Sequence, residues 1–140
     1  MSISDLIDDF AMLDDWEQRY RYVIELGRTL EPLSEAEHSR PNKVQGCTAQ
    51  VWLVSEARQV NGETRLFFRG DSDAHIVSGL IAILFRLYSG LTPDEILAID
   101  AAEVFGKLGL NEHLSPQRSN GLYAMVARIQ ADARAALAGI

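Results

Sequence analysis

Residues 50–88 read QVWLVSEARQVNGETRLFFRGDSDAHIVSGLIAILFRLY, and this stretch decides the fold. Two runs within it, Gln50 to Arg58 and Glu63 to Arg69, are rich in Val, Leu, Phe and Trp and read as β-strands. Asn61-Gly62 between them is a two-residue hairpin signal, because both residue types tolerate positive φ. The pattern then changes period. Ile76, Val77, Leu80, Ile81, Leu84, Leu87 and Tyr88 fall on one helical face, which predicts a helix from Asp73 to about Tyr88. Ser72 or Asp71 is its expected cap, and Gly90 its stop. Ile83 and Phe85 carry the apolar surface nearly all round, so this helix belongs at the centre of the molecule.

Outward from the hairpin, the N-terminal side is helical. Ser4 can cap a short helix running through Phe10 or Met12. Asp14 or Asp15 can cap a second, with Trp16, Tyr20, Val23, Ile24 and Leu30 at helical spacing and Gly27 inside the pattern. Pro32 and the polar stretch Ser34 to Pro41 break regular structure, and a short strand is expected around Lys43 to Gln45. Beyond the central helix, Thr92-Pro93-Asp94-Glu95 forms a capping box with proline at the first helical position. Asp100 and Glu103 start a short helix that Gly109 ends, and Ser115-Pro116 opens the last one. The order is two helices, a small antiparallel sheet, then four helices. This predicts an α+β fold with helices packed on one face of the sheet.

The 140 residues fit one domain, residues 1–140. A net charge of −7 argues against nucleic acid as the main partner, since phosphate binding wants clustered Lys and Arg. The acids from Asp5 to Glu17 precede the first basic residue, Arg19, and read as a solvated face. The N-terminus is acidic, without the apolar core of a signal peptide. The longest apolar run, Leu80 to Leu84, is far shorter than the ~20 residues a membrane helix needs. No membrane partner is therefore expected, and the expected compartment is the cytoplasm, which is reducing.

Cys47 is the only cysteine, in Asn42-Lys43-Val44-Gln45-Gly46-Cys47-Thr48-Ala49-Gln50-Val51-Trp52. A lone thiol cannot close an intramolecular disulfide or build a multi-cysteine metal site. It is either a small buried hydrophobe or a reactive group that takes sulfur and hands it on. Gly46 gives backbone freedom for a tight loop, and Lys43 is a nearby cation that could favour the thiolate. A hydrolytic role would need a histidine base, but His38, His75 and His113 fall in no cysteine-hydrolase signature. No metal site is expected, since no ligand pair stands at a familiar spacing. Gly70-Asp71-Ser72-Asp73 reads as a helix cap rather than a calcium loop. Phosphate-loop and dinucleotide motifs are absent from the sequence. Arg118, in the first turn of the last helix, opposes the helix dipole. Such a residue serves a site or an ion pair, or is simply a surface arginine.

These residues, taken together, resemble the SufE family. The resemblance rests on Trp16-Glu17 with Arg19-Tyr20, on Ile24-Glu25-Leu26-Gly27, and on Val44-Gln45-Gly46-Cys47 with Gln50-Val51-Trp52. It continues through Gly70-Asp71-Ser72-Asp73-Ala74, Ile76-Val77, Gly79-Leu80-Ile81-Ala82, Leu114-Ser115-Pro116 and Arg118-Ser119-Asn120-Gly121-Leu122. The resemblance implies a fold like that of the IscU scaffold. It also implies a role as sulfur acceptor for a SufS-type cysteine desulfurase in iron–sulfur cluster assembly. Cys47 would receive a persulfide sulfur, stimulate the desulfurase, and pass sulfur to a downstream scaffold complex. Gly46, Asp73 and Arg118 match positions that shape the cysteine loop or the partner contact. Pyridoxal phosphate would belong to the desulfurase, and this chain would hold no cofactor and not be a stand-alone enzyme. An exposed apolar edge would allow a homodimer. The spacer Arg28 to Asn42 looks variable for the family, so nothing is assigned to His38 or Arg40. A competing reading is a conformational activator of the desulfurase with no sulfur on Cys47.

Overall fold

The computed structural model describes residues 3–46 and 49–139. Cys47 and Thr48 lie outside the described residues. The hairpin forms as the sequence predicts. β1 (Val51–Val60) and β2 (Glu63–Ser72) pair antiparallel, with Val51 opposite Ser72 and Val60 opposite Glu63. Asn61 and Gly62 both take positive φ, 52° and 83°, the combination whose twist matches a two-residue hairpin. Each strand runs a little beyond its predicted end. Val51 and Leu53 of β1, with Leu66, Phe68 and Gly70 of β2, turn inward. Trp52, Arg69 and Asp71 therefore turn to the opposite face.

α3 (His75–Tyr88) lies against the inward face at the centre of the molecule, and ten of its residues are buried. Its apolar surface wraps nearly the whole helix because it meets the sheet, α1 (Ile3–Ala11), α2 (Trp16–Gly27) and α7 (Pro116–Ala138). α4 (Pro93–Ala98) packs on β2 and α7, and α7 also touches β1. The predicted helix-on-sheet α+β arrangement is thus present.

Several local signals hold. Asp15 caps α2 by accepting from the Gln18 N–H at 2.8 Å. Thr92 and Glu95 form the reciprocal capping box of α4. Asp100 caps α5 (Ala101–Leu108), Gly109 ends it with φ 74°, and Ser115 caps α7.

Others need correction. Ser4 lies inside the first turn of α1, which already begins at Ile3. α2 stops at Gly27 rather than reaching Leu30, and the Thr29 hydroxyl donates to the Leu26 carbonyl there. The expected strand at Lys43 to Gln45 reduces to one bridge between Lys43 and Trp52, with the Val44 N–H donating to Val51 O. α3 begins at His75 with Ala74 as its uncapped start, so neither Ser72 nor Asp71 is its cap. The Asp71 carboxylate is engaged elsewhere, and the Ser72 hydroxyl accepts the Ala74 N–H at 3.2 Å while it donates to Gln50 O. A four-residue helix, α6 (Leu110–His113), and a 3-10 turn at Arg40–Asn42 add to the predicted elements.

The stretch from Leu33 to Val44 is a strap across the outward face of β2. Buried Leu33 and Val44 anchor its ends. The Glu37 carboxylate receives both outer nitrogens of the Arg69 guanidinium, one at 3.0 Å. Asn42 Nδ2 donates to Glu37 O, and Arg128 of α7 donates to Pro41 O at 3.0 Å. Arg69, with help from Ser34, holds the Glu37 carboxyl down at about 2 against its ordinary 4.5. A group with a depressed native value stabilises the fold above its unfolded value and stops doing so as pH falls through the native one. The Glu37–Arg69 pair should therefore contribute fully at neutral pH and fade between pH 4.5 and about 2. In urea denaturation, Glu37→Gln should be less stable than the parent at pH 7, with the gap closing near pH 2. An equal gap at both pH values would refute this.

Candidate functional site

The strap leads directly into the cysteine loop. At its end Gly46 has φ +92°, a conformation that L side chains rarely adopt. A Cβ there would also stand 3.3 Å from the Ala124 Cβ of α7. Glycine thus serves both the backbone turn and the close approach to α7. Cys47, the expected sulfur acceptor, lies with Thr48 outside the described residues; Gly46 before them and Ala49 after them are described. After it, Ala49 forms part of the wall of a cavity of about 430 Å³.

That cavity lies between α3 and α7. Val77 and Leu80 line it from α3, Ala74 from just before that helix, and Leu122 and Met125 from α7. Its polar rim is Ser115, Gln117 and Arg118 at the start of α7. The combination of apolar walls and a few convergent polar groups at one edge is typical of binding sites.

Arg118 lies in the first turn of α7, as its sequence position predicts. Its backbone N–H donates to Ser115 Oγ at 3.3 Å. Its guanidinium carbon lies 5.9 Å from the centroid of the Tyr20 ring, a modest cation–π contact. Among the described residues no carboxylate pairs with it. It is an exposed cation at the rim of an apolar cavity.

Asp73 acts from the other side of the loop. Its Oδ1 accepts the Gln50 N–H at 3.1 Å, and its own N–H donates to Gln50 O at 3.3 Å. The Ser72 hydroxyl donates to the same Gln50 carbonyl at 2.8 Å. Gln50 is therefore clamped at both backbone groups, three residues past the cysteine. Gly46, Asp73 and Arg118 thus all converge on the loop or on the cavity beside it.

Sequence reasoning missed Ser72 as part of this clamp, along with Asp71 and His38. The Gly70-Asp71-Ser72-Asp73 motif is the available signal, but its local pattern points to a helix cap instead. The three histidines are dispersed: His38 lies within hydrogen-bond distance of Asp71, His113 stacks on Trp16 at 4.4 Å, and His75 opens α3. No group of three or more potential metal-binding side chains occurs among the described residues, and no described helix is long and apolar enough to cross a membrane.

Comparison with known proteins converges on one family. The model of the SufE family, described as an Fe–S metabolism associated domain, matches residues 4–133. An uncharacterized SufE-like protein of Rhizobium meliloti (strain 1021) is 53% identical over 136 residues, covering 97% of each chain. A second uncharacterized SufE-like protein, from Rhizobium etli, is 54% identical over 133 residues, covering 95% of this chain and 90% of the relative. The fold matches the solution structure of a hypothetical protein from Thermus thermophilus, with a TM-score of 0.72 over 99% of both chains at 24% identity.

Proposed function

The chain belongs to the SufE family and has a role in Fe–S metabolism, and on that premise we propose that it is the sulfur acceptor of a cysteine desulfurase, with Cys47 as the accepting group. The observation that carries this reading is the convergence on one loop. Gly46 against α7, Ala49 in the cavity wall, and Gln50 clamped by Asp73 flank the only thiol in the chain.

The chemistry is an exchange at sulfur. The Cys47 thiolate attacks the terminal sulfur of a persulfide on the desulfurase. A new S–S bond forms as the old one breaks, and the desulfurase thiolate leaves. The acceptor becomes Cys47–S–SH, and no external oxidant or reductant is needed. The step needs no general base from this chain once the thiol is ionised. Pyridoxal phosphate and the cleavage of free cysteine belong to the partner. A SufS-type enzyme is the proposed donor, and an assembly scaffold receives the sulfur in turn. The proposed setting is the cytoplasm.

The test is intact mass after incubation with a cysteine desulfurase, pyridoxal phosphate and cysteine. A gain of about 32 Da, removed by reductant, is expected for one sulfur atom. No gain, while the desulfurase turns over and binds this protein, would refute sulfur acceptance and leave conformational activation.

Arg118 is the proposed partner contact. It has no internal carboxylate to lose, so Arg118→Ala should leave the thermal midpoint within about 1 °C of the parent. Loss of one charge-assisted hydrogen bond to the partner should slow sulfur transfer about tenfold. A large loss of stability, with transfer unchanged per folded molecule, would make Arg118 structural.

A further inference from the structure

Asp71 joins the strap that enters the cysteine loop to the residue that holds the arm leaving it, Ser72. Its Oδ2 lies 2.9 Å from His38 Nε2, on the strap that enters the loop. Its Oδ1 accepts the Ser72 N–H at 2.8 Å. The Ser72 hydroxyl in turn donates to Gln50 O, on the arm that leaves the loop. A chain of three hydrogen bonds therefore runs from His38 to Gln50 through Asp71.

The His38 ring also meets Trp52 edge-on, with centroids 4.7 Å apart. Trp52 lies opposite Asp71 in the strand register, so one imidazole is fixed against both strands. An ionised carboxylate can only accept, so Nε2 carries the proton in this pair. The two side chains are 29% and 36% exposed, which screens the contact less than a fully solvated pair. The neighbouring charges are engaged with each other, since Glu37 holds Arg69.

We propose that His38 is a positioning residue for sulfur transfer, acting through Asp71 to hold the entering and leaving arms of the cysteine loop in fixed relation. The inference rests on the sulfur-acceptor reading for its purpose but not for its test. Asp73 clamps only the leaving arm. The entering arm is joined to β1 by the Val44 N–H to Val51 O bond and to β2 by Glu37 and Arg69, and the His38–Asp71 contact adds the tie that links it to the Ser72 hydrogen bond on Gln50. Each added tie between the two arms narrows their relative motion, and losing this one widens it.

The experiment is the rate of Cys47 alkylation by N-ethylmaleimide in the free protein, with no desulfurase present. His38→Ala should raise the rate about fivefold, the opening expected from losing one charged hydrogen bond. His38→Gln can place an amide N–H where Nε2 stands, and should bring the rate back to within about twofold of the parent. Asp71→Asn, which weakens the same contact from the other side, should shift the rate in the same direction as His38→Ala. It also serves if His38→Ala does not fold.

Parent-like alkylation of both His38→Ala and Asp71→Asn would overturn the proposal. So would an increase in His38→Ala that His38→Gln leaves uncorrected, which would make His38 only a packing partner of Trp52. Failure of the sulfur-acceptor reading shows separately, as a missing gain of about 32 Da in the parent protein whatever these rates are.

Discussion

Cys47→Ser takes up no sulfur: after incubation with the desulfurase, pyridoxal phosphate and cysteine, its mass stays unchanged while the parent gains about 32 Da. The expectation follows from the nucleophile. A thiol near its ordinary pKa, ~8.5, is already a few per cent thiolate at neutral pH, and the thiolate is the reacting species. A serine hydroxyl is not ionised there, so it offers no comparable nucleophile. Replacing one atom leaves the Asp73 clamp on Gln50 and the Gly46 contact with Ala124 untouched. The variant should therefore fold and still bind the partner. That combination gives the result its force. If Cys47→Ser binds the desulfurase and still stimulates it fully, sulfur transfer is not how this protein acts, and docking alone changes the enzyme. If binding persists and stimulation vanishes, the stimulation comes from removing sulfur from the desulfurase.

How much of this site the sequence revealed depends on the range of each interaction. Caps and turns are local, so Asn61-Gly62, Thr92 with Glu95, Asp100 and Ser115 are legible and hold. Arg118 is legible for a related reason. A cation in a helix's first turn breaks a local rule, and the described residues include no internal carboxylate that would explain it. Asp71 and Ser72 mislead because neither caps α3: the Ser72 hydroxyl bonds only the Ala74 N–H before the helix, and both side chains have long-range partners. Asp71 meets His38, 33 residues away, and the Ser72 hydroxyl reaches Gln50, 22 residues away. Neither pairing leaves a periodic trace. The strap reads as a spacer for the same reason. Its polar composition argues for a loop, and only the fold shows that Glu37 and His38 face successive outward positions of β2.

Gly79→Ala should destabilise the protein by about 3 kcal/mol or more, against the sign that helix propensity alone predicts. In an open helix the change from glycine to alanine is favourable by roughly 1 kcal/mol. Here a Cβ on Gly79 would stand 2.0 Å from the Val23 carbonyl oxygen and 2.6 Å from the Val23 carbonyl carbon. Those are backbone atoms of α2, so no rotamer change relieves the clash. On the other side of the crossing, a Cβ on Gly27 would stand 2.7 Å from the Gly79 nitrogen. The two helices touch backbone to backbone, and α2 buries Val23 and Leu26 against the core at that distance. Pushing α3 away would also move Val77 and Leu80, which wall the cavity beside the cysteine loop. Chemical denaturation measures the effect, and Gly106→Ala is the control. Gly106 lies inside α5, where the nearest atom to an added Cβ is 3.8 Å away, so that change should be neutral or stabilising. If Gly79→Ala instead matched Gly106→Ala, the α2–α3 crossing would be looser than these distances require. The cavity wall would then not depend on it.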